Sequence, residues 1–370
     1  MRIVVTGADG FIGRNLRVRL RERDQHEVMV IVRDTAPGQV AAFLHDAEAV
    51  MHLAGVNRAK DEKAFGEGNT EFTRKLCEIL ASTGRPTPII YASSAQATVE
   101  NVYGRSKRAA EELLLRHARD TGSPVHLFRL NNVFGKWSRP NYNSVVATFC
   151  YQIARGLPIS IHDPNAPLKL VYVDDVVDAF LRVLGTPLVA GGHHEAGPIY
   201  DTTVGELASA LYSCAASRSA IAVPRVGAGL MRALYATYVS FLEPDSFAYD
   251  IPCHSDKRGA FVEMLKTPDC GQISYFTAYP GITRGEHYHH TKTEKFLVVR
   301  GAARFTFRNV DTGQRHCLEV RGGEARIVES VPGWAHAVSN IGEEELIVLL
   351  WASETFDRAR PDTVAVKVLP

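Results

Sequence analysis

Two rhythms of apolar and polar positions divide the chain. Up to about residue 185, short apolar runs at 3–6, 28–32, 49–53, 88–92 and 126–130 alternate with amphipathic stretches at 12–23, 69–83, 105–119 and 144–155. The runs predict strands and the stretches predict helices. Their alternation predicts an α/β Rossmann-type fold, a doubly wound parallel sheet with helices on both faces and right-handed crossovers. Residues 186–245 break the pattern with a Gly/His patch at 191–197 and helix-like patterns near 204–216 and 227–242. They read as a separate small lobe and a connection. From about Phe247, strand-like runs at 271–278, 295–299, 303–308, 325–328 and 345–351 are punctuated by Gly, Pro and Asn. That spacing predicts an all-β sandwich or barrel. The expected domains are therefore 1–245 and 246–370, with no internal repeat and no low-complexity tract.

A chain of 370 residues suits two cores. The formal net charge of +1, from 42 basic and 41 acidic side chains, offers no basic stripe and speaks against nucleic acid. The opening MRIVVTGADG lacks a basic segment followed by a long apolar stretch, so no signal peptide is expected. No apolar run is long enough to predict a membrane span. The six cysteines form no CxxC pair and predict free thiols in a reducing, cytoplasmic setting.

The loop Gly7-Ala8-Asp9-Gly10-Phe11-Ile12-Gly13 follows the first strand and opens a helix. Gly7 permits the tight turn, Gly10 lets the backbone approach a pyrophosphate, and Gly13 lets helix and strand pack closely. The pyrophosphate would lie at the positive end of the helix. The second strand runs into Arg33-Asp34. An acidic residue directly after that strand would bind the ribose 2′-hydroxyl of NAD, whereas Arg33 suits the 2′-phosphate of NADP(H). The bland reading is a solvated Arg beside Asp34. In Tyr103-Gly-Arg-Ser-Lys107 the phenol and the amine share one helix face. A neighbouring ammonium favours the phenolate, so Lys107 is expected to lower the pKa of Tyr103 from its usual value near 10. Tyr103 could then hand a proton to a carbonyl oxygen as hydride arrives. Lys107 could also hold the nicotinamide ribose, and Ser94 would orient the substrate oxygen.

These residues resemble the extended short-chain dehydrogenase/reductase family that acts on nucleotide sugars. The likeness covers about residues 1–185 and includes His52-Leu53-Ala54-Gly55, Asn69, Arg129-Leu-Asn-Asn132-Val-Phe134-Gly135 and Val171-Tyr-Val-Asp174-Asp175-Val176. It implies that Leu53 and Ala54 line the cofactor. It also implies that Asn132 and the loop from Lys136 to Asn143, Arg139 included, meet the nucleotide sugar. The segment between Ser94 and Tyr103 is shorter than in many members, and Ala95-Gln96 stands where the dehydratase branch has Asp-Glu. That departure argues against a dehydratase.

In the second half, Gly281-x5-His287-x-His289-x4-Glu294-x6-Gly301 and Gly333-x2-His336-x3-Asn340 resemble the two cupin motifs, with Pro332 one residue closer to Gly333 than the pattern expects. Three imidazoles and a carboxylate suit a divalent ion, zinc first and iron, manganese or nickel as alternatives. A polar barrel without metal is the plainer reading. Asp256-Lys-Arg258-Gly259-Ala-Phe261-Val-Glu263 and Arg284-Gly285-Glu-His287 resemble the nucleotide-sugar 3,5-epimerases, which implies substrate contacts for Arg258 and Glu263 and a base role for His287. His287 cannot readily serve as base and ligand together. The complete His/His/Glu/His set favours the ligand role and leaves the base unassigned.

Both segments in this order resemble the capsular polysaccharide enzyme F family of bifunctional bacterial enzymes. The resemblance implies C3 epimerisation of UDP-2-acetamido-2,6-dideoxy-β-L-arabino-hexos-4-ulose in the cupin. Reduction at C4 by NADPH would then give UDP-2-acetamido-2,6-dideoxy-β-L-talose, on the path to UDP-N-acetyl-L-fucosamine. It also implies a homodimer. The alternative is a single activity, with the cupin as a metal-stapled dimerisation or binding module. A sensor that binds NADPH without turnover is a further rival, and the intact Tyr103/Lys107 pair speaks against it.

Overall fold

The structure is a computed structural model. It describes residues 1–370 apart from 24, 59–60, 186–190, 252, 257–258, 263–264, 266–270, 355–358 and 369–370, and describes the backbone alone at 253–256, 259–262 and 272. The chain divides into two compact units: Met1–Ser144 with Leu168–Asp201, and Val145–Pro167 with Thr202–Pro370.

The first unit is built on a six-stranded sheet in the order Glu27–Ile31, Arg2–Thr6, Ala49–His52, Ile89–Ser94, Val125–Leu130, Gly192–His194, with all neighbours parallel. Its central strands are apolar on both faces because both faces are covered. Ile3, Val5, Met51, Ile90 and Phe128 face one core, which includes Phe180 and Leu181 of the helix Val173–Leu184. Val4, Val50, Ile89 and Leu127 face the other, which includes Leu76 and Leu80 of Phe72–Ser82 and Ala110 and Leu114 of Val102–Thr121. Truncating one of these leucines to Ala costs about 2–5 kcal/mol. From Arg2–Thr6 the chain moves outward to Glu27–Ile31 and then returns to Ala49–His52 on the other side. The sheet therefore has its switch point between Arg2–Thr6 and Ala49–His52, where ligands of open α/β sheets bind.

The predicted strands and helices of this half are present, with two differences of assignment. The Gly/His patch, read as part of the separate small lobe, contributes the sixth strand, since Gly192–His194 pairs with His126–Phe128. Gly191 allows that approach: a Cβ there would lie 2.2 Å from the Val125 carbonyl oxygen. The helix Val145–Ala154, expected to cover the parallel sheet, instead belongs to the second unit and packs with Val204–Ser219 and Gly229–Val239. Thr203 and Glu206 start the second of these helices with a reciprocal capping box.

The rest of the second unit is all-β and antiparallel. One five-stranded sheet runs Ala248–Asp250, Arg326–Ser330, Glu294–Arg300, Leu346–Ala352, Gln272–Ala278. The other runs Arg315–Arg321, Ala302–Asn309, Trp334–Asn340, Thr283–Tyr288, Val364–Ala365. Cys253–Asp256 and Gly259–Val262 form a separate hairpin. Phe296, Phe305 and Phe307 are buried where the two sheets face each other, and Trp351 is buried on the opposite face of its sheet, across from Lys295. Cys77, Cys150 and Cys214 are buried thiols and Cys317 is an exposed one. Among the described residues, no helix is long and apolar enough to cross a membrane.

Candidate active site and metal centre

The glycine loop leaves the carboxyl end of the first strand at the switch point. Gly7 has φ +64°, and a Cβ on it would lie 2.7 Å from the Ala54 backbone. A Cβ on Gly13 would lie 2.3 Å from the Gly7 carbonyl oxygen. Gly10 caps the helix Phe11–Arg21. The loop thus needs glycine at the positions where strand, helix and the segment carrying Leu53 and Ala54 converge. Asp9 is held by Arg17 at 2.6 Å. Arg33 is exposed just past the second strand, and Thr35 closes the turn around it with its hydroxyl 2.9 Å from the Val32 nitrogen.

His52 was not singled out from the sequence as a chemical group, yet it braces this corner. Its ring nitrogens lie 2.8 Å from the Thr6 hydroxyl and 2.9 Å from that of Thr73. The Ala54 nitrogen donates to the same Thr6 oxygen at 3.1 Å. Burial pushes the imidazole pKa down to about 3, and the charge of Lys107 adds to the fall. Asn69 ties the following segment to the next helix, through Val56 at 2.8 and 3.0 Å and the Ser106 hydroxyl at 2.9 Å.

Tyr103 and Lys107 lie in the first turns of Val102–Thr121. The Asn101 side chain caps that helix at the Gly104 nitrogen, 2.7 Å away. Only glycine fits at 104, since a Cβ would lie 2.2 Å from the Gln96 carbonyl oxygen. The packing draws the turn after Ser94 against the helix that carries the tyrosine, with the Ser94 side chain close enough to act on the phenol. The expected cause of an activated phenol is not what the structure gives: burial raises the Tyr103 pKa, and Ser94 lowers it only in part. Lys107 is buried, donates to the Ala92 carbonyl at 2.8 Å and lies 4.3 Å over the Tyr91 ring. Desolvation brings its pKa down to about 7, against the pull of Glu111. Glu111 is itself gripped by the Ser93 hydroxyl at 2.5 Å and by Arg129 at 2.6 Å. Tyr103 is therefore a protonated phenol at neutral pH, fit to donate a proton.

Asn132 is exposed at the start of Asn132–Phe134, and Arg139 is exposed with its guanidinium 5.1 Å over the Tyr142 ring. The loop between them is anchored from below. Lys136 is buried in a bidentate pair with Asp174 at 2.6 and 2.8 Å, and Asn15 of the first helix donates to the Lys136 carbonyl at 3.3 Å. Arg258 and Glu263 lie outside the described residues.

In the second unit His287, His289, Glu294 and His336 converge. One ligand atom from each lies within 4.8 Å of all the others. His287 is on Thr283–Tyr288 and His336 on Trp334–Asn340, paired across the sheet. Glu294 opens its strand in the opposite sheet, and His289 lies just past the end of the His287 strand. The His289 Nδ1 faces the Asp362 carbonyl oxygen, which can only accept, so Nδ1 carries the proton. Its Nε2 lies 3.0 Å from Glu294 Oε2, and His336 Nε2 lies 3.2 Å from the same oxygen, so two ring nitrogens and the carboxylate converge on one point. Burial lowers the pKa of His287 to about 4 and also lowers that of His336. Burial alone would raise that of Glu294, but the His289 and His336 rings hold it well below the carboxylate range. Three imidazoles and a carboxylate with one ligand atom each inside 4.8 Å are the donor set that a divalent ion binds, so these residues fit a metal.

Comparison with known proteins agrees with both units. Residues 3–196 match the NAD dependent epimerase/dehydratase family, and residues 254–364 match the polysaccharide biosynthesis C-terminal domain. UDP-2-acetamido-2,6-beta-L-arabino-hexul-4-ose reductase of Pseudomonas aeruginosa (strain PA103) is 53% identical over 368 residues, covering 100% of this chain and 99% of that one. The crystal structure of the capsular polysaccharide assembling protein CapF of Staphylococcus aureus matches 100% of both chains, with 38% identity and a TM-score of 0.68. The chain belongs to the CapF-like family. Beyond that family, the first half of this CapF-like chain resembles UDP-glucose 4-epimerase of Thermus thermophilus in fold, with 24% identity, a TM-score of 0.51, and coverage of 58% of this chain and 83% of that one.

Proposed function

We propose that this CapF-like chain is a bifunctional nucleotide-sugar enzyme of surface polysaccharide synthesis. Residues 1–245 reduce a UDP-linked 4-keto sugar, and residues 246–370, a cupin, epimerise it at C3. The substrate is UDP-2-acetamido-2,6-dideoxy-β-L-arabino-hexos-4-ulose and the product UDP-2-acetamido-2,6-dideoxy-β-L-talose. The name of the Pseudomonas relative, whose full length is matched, supports the reductive half. The observation that carries the reading is that one chain holds both a glycine loop with a Tyr103/Lys107 helix and a four-ligand His/Glu cluster.

In the first site Gly7, Gly10 and Gly13 admit the pyrophosphate, flanked by Asp9, Phe11, Ile12, Leu53 and Ala54, and Arg33 meets a 2′-phosphate. Bound NADPH supplies the hydride for C4. The Tyr103 hydroxyl donates its proton to the developing alkoxide. Ser94 orients the carbonyl oxygen, and Lys107 holds the ribose. Asn132 and Arg139 contact the sugar nucleotide on a loop fixed by Lys136 and Asp174. Arg258 and Glu263 contact the sugar in the second site. There, an acidic C3 proton leaves and returns on the other face of an enolate. A divalent ion, zinc first, held by His287, His289, Glu294 and His336 would stabilise negative charge on the keto oxygen as that proton leaves. Epimerisation before reduction is the chemically ordered sequence, because reduction removes the ketone that acidifies C3. The chain works as a cytoplasmic homodimer in this reading.

A second reading keeps reduction alone and makes the metal a staple. The burial of His289, Glu294 and His336 favours it, since structural ions sit in closed sites. The direct test is incubation of the purified chain with the 4-keto sugar and NADPH. Stoichiometric NADPH oxidation with inverted C3 configuration in the product, read by NMR, is expected. Oxidation with C3 retained would leave only the second reading, and no oxidation would end both.

A further inference from the structure

The turn joining metal ligands His289 and Glu294 is held by a residue far along the chain. Backbone N–H groups of His290, Thr291 and Lys292 converge on the carboxylate of Asp362, at 2.8, 2.7 and 2.7 Å, and the Thr291 hydroxyl lies 3.0 Å from it. Successive N–H groups aimed at one point make an anion-binding nest, here filled by a side chain of the same chain. The backbone carbonyl of Asp362 receives the Nδ1 proton of His289, 73 residues earlier. One residue thus fixes the turn with its side chain and the imidazole tautomer with its main chain.

The flanking residues keep Asp362 in register. Val364–Ala365 pairs antiparallel with His287–Tyr288, and the Val366 nitrogen donates to the Glu286 carbonyl at 2.8 Å. Lys292 reaches the Thr363 hydroxyl at 3.1 Å, and Val368 is buried. On the other side, Thr291 donates to Glu354 at 2.7 Å.

We infer that Asp362 is a positioning residue for the metal centre, and that residues 362–368 clasp the ligand loop so that His289 and Glu294 are set before an ion arrives. This inference rests on the metal reading above. Partners that orient metal ligands typically change affinity by about 10–100-fold when removed. Without the carboxylate, three half-buried N–H groups would have no acceptor, and the turn between the ligands would open.

The test uses the full chain and Zn²⁺ alone, titrated in competition with a chromophoric chelator. Asp362→Ala is expected to lose roughly ten- to a hundredfold in zinc affinity. Asp362→Asn, which keeps the size and one acceptor, should lose less. In both variants the peptide spanning 287–294 should exchange its amide hydrogens faster, and zinc should raise the melting temperature by less than in wild type. If the alanine variant does not fold, the asparagine variant decides. Unchanged zinc affinity in a folded variant, with equal loss of melting temperature in metal-free and zinc-loaded protein, would make Asp362 a purely structural residue and overturn the clasp. Failure of the wild-type chain itself to take up zinc would overturn the metal reading and the clasp with it.

Discussion

The ammonium of Lys107 lies 4.3 Å over the ring of Tyr91 and donates to the carbonyl of Ala92, on the strand that ends at Ser94. The amine, the tyrosine four positions before it and the serine are thereby fixed to one strand and one helix. Burial brings Lys107 to about 7 and raises Tyr103 above its usual value. This environment keeps the phenol protonated in the free protein and does not acidify it.

In the proposed reading Arg33, exposed just past the second strand, sets the choice of cofactor. Charge-assisted hydrogen bonds are worth about 1.5–3 kcal/mol. Arg33→Ala should weaken NADPH by roughly ten- to a hundredfold and leave NADH within about a factor of two. Isothermal titration with both nucleotides checks this, and equal losses would remove Arg33 from the role.

Acid should destabilise the first unit through His52. Its folded-state pKa of about 3 lies below the 6.5 of the free side chain. The unfolded chain binds the proton first, so the contribution is complete above pH 6.5 and is lost as pH falls toward 3. Between pH 7 and 5 the loss is about 2 kcal/mol. Denaturant titrations of wild type and His52→Gln at both pH values isolate it. Parallel losses in the two proteins would show that His52 does not carry the effect.

Asp174→Asn should leave the Lys136 ammonium buried against a neutral partner, at a cost of roughly 3–5 kcal/mol. Because Lys136 anchors the loop bearing Arg139, the KM for the nucleotide sugar should rise while NADPH affinity stays near wild type. A lower melting temperature with unchanged KM would confine the pair to stability.

Removal of the metal separates staple from catalyst. Chelator-treated protein should lose proton exchange at C3 of the keto sugar and regain it on addition of zinc, with NADPH affinity unaffected. A fall in melting temperature with exchange intact would make the ion structural and remove it from the C3 chemistry.

Much of this was legible in the sequence, because its signals are local. Glycines at 7, 10 and 13 are dictated by backbone approaches of the loop itself, and the spacing from His287 to Glu294 is set within one strand end and one turn. Strand–helix alternation gave the parallel sheet for the same reason. What escaped was non-local. Gly192–His194 is too short and polar to announce a strand, and it is one only because His126–Phe128 offers an edge. Val173–Leu184 carries a β-branched run that propensity assigns poorly, and packing against the sheet makes it a helix. The second β-sheet was legible in part: Thr283–Tyr288 reads as a strand from its alternate histidines, whereas Arg315–Arg321 and Trp334–Asn340 do not stand out as strands. The Tyr103 phenol was expected to be acidified by Lys107, and burial, invisible in a motif, reversed the direction.

The central claim is that one chain performs two separable reactions, and Tyr103→Phe measures it. The variant should lose NADPH-dependent reduction by roughly a hundred- to ten-thousandfold, yet still exchange solvent deuterium into C3 of the UDP-4-keto sugar at close to the wild-type rate. If exchange stops together with reduction, the metal-bearing unit is not an independent catalyst, and the two-reaction account is contradicted.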